Sequence, residues 1–232
     1  MTTGGFSETD FTTGAGGRSA SSPSFRSVDI YVVRSTDGWT GSGTRRWQVK
    51  AVAGGLDEFE QDAVRVGINT RFETVVALPT FPTQEEIEGR PRRLHYGPLI
   101  GDSVAYWHSV QAGSDASGRP GNVFVHVLVD RAPLLSALRR PISLWRSSGW
   151  LTPFGAELVA RSELVETEPF PEGEVLELSR IVNFVLNPGV WRIGVLSVLL
   201  DAVHEAIVKR GTVILGVEDP DRGALWVGAV SA

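Results

Sequence analysis

The stretch Asn122-Val123-Phe124-Val125-His126-Val127-Leu128-Val129-Asp130 decides how the rest of the chain is read. It is β-branched or aromatic at almost every step, which suits a pleated, buried backbone. Apolar side chains occupy both parities, so neither face of such a strand can be left to water. We expect a central strand covered on both sides, with His126 as its one polar interruption.

Working back from it, Ser103 to Gln111 and Arg93 to Tyr96 have strand character and complete an antiparallel meander. Val28 to Val33 reads as a strand, and Arg46 to Val52 alternates polar and apolar residues as a half-buried strand does. Phe72 to Leu78 reads as another, ended by Pro79 and Pro82. Between these, Leu56, Phe59, Ala63 and Val64 recur at helical spacing behind Asp57 and Glu58. Thr83-Gln84-Glu85-Glu86 has the form of a capping box that opens a short helix.

Working forward, short helices are expected near Leu134–Leu138 and Ala156–Leu164, around a loop-rich stretch from Trp145 to Phe154. An acidic segment, residues 166–174, carries Pro169 and Pro171 and is read as a linker. Beyond it, Leu178, Ile181, Val182 and Val185 form one helical stripe. Ile193, Leu196, Leu200, Val203 and Ile207 form a second, with Gly211 at the expected C-cap. Thr212 to Val217 reads as a strand, and Asp219-Pro220 supplies the N-cap and first-turn proline of a last helix. The fold class expected is α+β: an antiparallel sheet domain flanked by helices, then a helix–strand–helix segment. The division expected is a disordered tail at 1–26, a first domain at 27–165, the linker at 166–174 and the start of a second domain at 175–232. A lone strand between two helices needs neighbours, so we expect the chain to be part of a longer protein.

Composition narrows the function classes. The 232 residues are 42% hydrophobic and 21% charged, an ordinary balance for a globular core. The net charge is −5, and basic residues cluster only as the pairs Arg45-Arg46, Arg92-Arg93 and Arg139-Arg140. Nucleic-acid binding needs a concentrated positive footprint, so no nucleic-acid partner is expected. There is no cysteine, which excludes disulfides, thiolate catalysis and Cys-ligated metals. Residues 1–26 are rich in Gly, Ser, Thr and Ala with no apolar run of the signal-peptide kind. The most apolar stretch, Ile193 to Val203, falls short of a membrane span. A cytoplasmic location without membrane contact is expected.

Standard catalytic motifs are missing from the sequence: there is no GxxxxGK[ST], GxGxxG after a strand, GxSxG or HExxH. The polar segment Gly113-Ser114-Asp115-Ala116-Ser117-Gly118-Arg119-Pro120-Gly121-Asn122 leads straight into the His126 strand. Asp115, Arg119, Asn122 and His126 would line a pocket if they converge, with His126 as general base, Arg119 as anion clamp and Asp115 as orienter. The plainer reading is a connection rich in turn formers and a core histidine with a satisfied ring. His108, on the preceding strand, would have to lie opposite His126, with an acid such as Asp102 or Asp115, to share a metal. A one-residue slip would separate the two rings, and no metal or other cofactor is expected. Trp145, Arg146 and Trp150 are either interface anchors or caps on the core.

The run Gly113-x-Asp115-x-x-Gly118-Arg119-Pro120-Gly121-Asn122-x-Phe124-x-His126 resembles the N-terminal region of bacterial GTPase-associated protein 1. The wider layout agrees: Ala53-Gly54-Gly55-Leu56 before a helix, Leu144-Trp145, Trp150-Leu151-Thr152-Pro153, Leu199-Leu200-Asp201-Ala202, Val213 to Val217, and Trp226. The resemblance implies an accessory protein of a bacterial conflict or signalling system, working with a GTPase, from a family whose members continue past the position of Ala232. It carries over no catalytic residue. The combined expectation is a non-enzymatic adaptor or regulator, with Arg119, Asn122, Trp145, Arg146 and Trp150 facing the partner. The alternative is a hydrolase or nucleotide-binding enzyme using Asp115, Arg119 and His126.

Overall fold

The computed structural model describes residues 28–34, 47–68, 78–114, 118, 120–131, 133, 140–164 and 170–231. Its centre is a five-stranded antiparallel sheet in the order β2-β1-β5-β4-β3. The strands are β1 (Val28–Arg34), β2 (Trp47–Val52), β3 (Arg92–Pro98), β4 (Val104–Ser114) and β5 (Pro120–Asp130). Six helices accompany them: α1 (Glu58–Gly67), α2 (Gln84–Gly89), α3 (Ala156–Arg161), α4 (Leu178–Val185), α5 (Arg192–Lys209) and α6 (Pro220–Val230). The α+β class read from the sequence is the observed one.

Strand β5 lies in the middle of the sheet, as its apolar parities require. Val123, Val125, Val127 and Val129 pack on one face with Ala105, Trp107 and, from α1 and its flanks, Leu56, Val64 and Ile68. The other parity, Phe124, His126 and Leu128, meets loop and helix residues instead: Phe124 packs with Val110, Ala112 and Val159, and Leu128 with Tyr106, Leu144, Trp150 and Phe170. Two layers thus cover one sheet, and the second is made by the chain after β5.

Local signals act where they were read. Asp57 caps α1 and Thr83 caps α2, each by a reciprocal capping box in which the third helical residue, Glu60 or Glu86, reaches back. Asp219 caps α6 by accepting from the Asp221 N–H at 2.9 Å. At the end of α5 the left-handed residue is Arg210, φ 53°, rather than Gly211, whose N–H bonds back to the Ala206 carbonyl. Thr212–Val217 joins no ladder among the described residues. Its β-branched composition favours a strand, but strand structure needs a neighbour, and none reaches it. The tail at 1–26, the strand expected at 72–78 except for Leu78, the helix at 134–138 and residues 165–169 lie outside the described residues.

The segment 170–176 packs against the first part of the chain. Phe170 joins the core beside Trp150, the Gly173 N–H donates to the Ser143 carbonyl at 2.8 Å, and Leu176 packs with Trp145 and with Ala224 of α6. Among the described residues no helix is long and apolar enough to cross a membrane.

Candidate functional site

The register of β4 on β5 answers the question the sequence left open. His108 pairs directly with His126, so both rings lie on the face opposite α1. Trp150, from the loop after β5, closes over them. Its ring stacks on His108 at 5.0 Å between centroids and meets His126 edge-on at 5.1 Å, while Phe170 flanks His126 at 6.0 Å. Trp150 is itself fixed by donating its indole N–H to the Leu144 carbonyl at 2.7 Å.

The cluster is dry and enclosed. His126 is 2% exposed, and its Nδ1 accepts the backbone N–H of Leu151 at 3.1 Å. That bond fixes the tautomer, because an accepting Nδ1 carries no proton. His108 is fully buried, and neither ring nitrogen has a hydrogen-bond partner. Burial pushes its pKa well below the ordinary histidine value, and the positive charges of Arg92 and Arg90 and the neighbouring His126 ring push the same way. A neutral ring stacked on tryptophan is the form this site favours. No group of three or more His, Cys, Asp or Glu residues suited to a metal occurs among the described residues.

The other residues singled out in the sequence are dispersed. Asn122 is buried at the start of the β5 core run, its side-chain oxygen lacking a hydrogen-bond donor. Trp145 and Trp150 are buried in the chain's own core, a placement that fits core capping. Arg146 turns inward through a left-handed backbone, φ 55°, and pairs with Asp221 of α6 at 2.6 Å. The same carboxylate oxygen accepts the Trp145 indole N–H at 2.7 Å. Trp145, Arg146 and Asp221 therefore pin α6 to the loop after β5. Asp115 and Arg119 lie outside the described residues; their neighbour Gly118 is exposed, with a φ of 82° that favours glycine.

One residue of structural weight went unread. Arg90, just after α2, is buried, and its guanidinium is ringed by backbone carbonyls: Gln111 at 2.8 Å, Thr152 at 2.7 Å, Pro153 at 3.4 Å and Ile87. Its plane lies 5.6 Å from the Phe154 ring centroid. Desolvation, with Arg92 adding to it, lowers its pKa to about 10, so it remains charged at neutral pH. In sequence it is one more arginine before a proline, with nothing to separate it from solvated neighbours.

The GTPase-associated protein 1, N-terminal domain type 2 family matches residues 31–169, which takes in the second half of β1, β2 to β5, the Trp150 loop and α3. Two curated relatives from Mycolicibacterium smegmatis, both called putative ESX-1 scaffolding and assembly protein SaeB, are 45% (strain MKD8) and 44% (strain ATCC 700084 / mc(2)155) identical over 185 residues. Those residues are 80% of this chain but 22% of each relative, so the chain spans less than a quarter of their length. No solved structure matches it. A match over more than half of the chain, covering the sheet and the loop that seals its histidine face, makes the chain a member of the GTPase-associated protein 1 N-terminal domain type 2 family.

Proposed function

We propose that this chain is a non-catalytic accessory domain that works beside a GTPase in a bacterial signalling or conflict system, serving recognition or scaffolding. The observation that carries the reading is the environment of His126. A general base must reach the proton it takes, within hydrogen-bond distance or through one water. At 2% exposure, with Nδ1 occupied by the Leu151 N–H and Trp150 across its edge, His126 is a part of the core. The His126 ring at the end of the distinctive segment serves the core through its bond to the Leu151 N–H, and this favours binding over turnover.

Family membership supports a GTPase as partner, and the name of the mycobacterial relatives, scaffolding and assembly protein, supports a scaffold role. The contact surface we assign includes the β4–β5 connection, where Arg119 stands between Gly118 and Pro120. A guanidinium there suits a carboxylate or phosphate on the partner. The test is direct binding of the purified chain to a candidate GTPase from the same organism, in its GDP and GTP-analogue forms, together with Arg119→Ala. Saturable binding weakened by that variant supports the reading; absence of binding in both nucleotide states refutes it.

A further inference from the structure

We propose that Thr212–Val217 is an open strand edge that pairs antiparallel with the same segment of a second copy of this chain. The inference is independent of the GTPase reading.

The segment Thr212-Val213-Ile214-Leu215-Gly216-Val217 lies between α5 and α6 outside any helix, and no backbone hydrogen bond joins it to another segment among the described residues. Its two parities have different surroundings. Val217 is seated against α6, where a Cβ added at Gly223 would come within 2.8 Å of the valine Cγ2. On the opposite parity, Ile214 is 90% exposed, and a Cβ built on Gly216 meets nothing within 4 Å. The Val217 side is partly covered, with Leu215 and Val217 still 38% and 43% exposed, while the Ile214 side and the backbone edge are open. A β-branched run with unpaired N–H and C=O groups is a template for a further strand.

Charge selects the occupant. Arg210 precedes the segment and Glu218 follows it; both are exposed, and neither has an ion-pair partner among the described residues. Their neighbours are engaged elsewhere, Lys209 with Glu205 and Asp219 with Arg222. An antiparallel self-pairing centred on Ile214 brings Arg210 of each copy to Glu218 of the other, and sets Ile214 beside Ile214. A parallel pairing would set like charges together, which destabilises a sheet. The antiparallel arrangement has two-fold symmetry, so it closes at two copies.

The test uses the full chain in sedimentation over a concentration series, with hydrogen exchange read on the same samples. The expected result is a reversible monomer–dimer equilibrium in which the amides of 212–217 gain protection as concentration rises. Arg210→Glu should raise the dimer dissociation constant about tenfold, since two symmetric pairs become repulsive. Arg210→Glu combined with Glu218→Arg should restore it, a rescue that no folding defect would produce. A monomer at every concentration overturns the proposal and assigns the edge to a strand from a different polypeptide. A dimer with freely exchanging 212–217 amides, or one indifferent to both charge variants, overturns it as well.

Discussion

His108 and His126 face each other directly across the β4–β5 ladder, and Trp150 covers both rings. The pair sits where an apolar residue would ordinarily be expected, so the protonation state of each ring bears on the stability of the sheet.

The first consequence is a dependence on pH. His108 is held neutral in the fold by burial, by the positive charges of Arg92 and Arg90, and by the neighbouring His126 ring. Below the ordinary histidine value of 6.5 the unfolded chain takes up a proton that the folded chain refuses, so stability falls as the pH falls. One such histidine costs about 1.4 kcal/mol per pH unit well below that value. His95, also lowered by burial and by Arg93, acts in the same direction. Denaturant midpoints between pH 7.5 and 5 should fall, and His108→Leu should flatten the slope. An unchanged slope in that variant would place the proton uptake elsewhere.

His126→Ala should destabilise the fold by about 1–4 kcal/mol, because it leaves a cavity under Trp150 and strips the Leu151 N–H of its acceptor. Thermal melting checks this. A variant as stable as the parent would mean that the ring is not a structural part of the core.

Much of the scaffold was legible because it rests on local chemistry. The Thr83 capping box, the acidic start of α1, the Asp219-Pro220 helix start and the doubly apolar β5 are all written in a few consecutive residues. The histidine cluster was legible only as candidates. A ten-residue connection leaves strand register free, and one slip would have sent His108 to the α1 face. Trp145 and Trp150 could be read as interface or core, since burial depends on what α6 and Phe170 bring to them from far along the chain. Thr212–Val217 has the composition of a strand, but pairing is a property of two segments, and composition describes one. Arg90 was invisible for the same reason: its ring of carbonyls is assembled from residues 87, 111, 152 and 153.

Arg90 therefore gives a sharp structural test. Arg90→Met should cost about 2–4 kcal/mol, because several buried carbonyls lose their donors together. Arg90→Lys should recover little of that, since a single ammonium cannot span the fork a guanidinium fills. Urea unfolding of both variants reads the difference. Full rescue by lysine would show that charge alone, and not the planar array of donors, is what the site needs.

The account as a whole rests on this chain being a recognition module whose histidine face is structural. The most direct measurement is a binding isotherm of the chain against a candidate GTPase from the same organism, in each nucleotide state, for the parent and for Arg119→Ala. We predict saturable binding by the parent. Arg119→Ala should bind about 30-fold more weakly, or about 2 kcal/mol, the scale of an interface hot spot. Its melting temperature should match the parent, since a side chain spent on recognition rather than packing leaves stability within about 0.5 kcal/mol. No saturable binding in either nucleotide state, or equal affinities for parent and variant, would contradict the account.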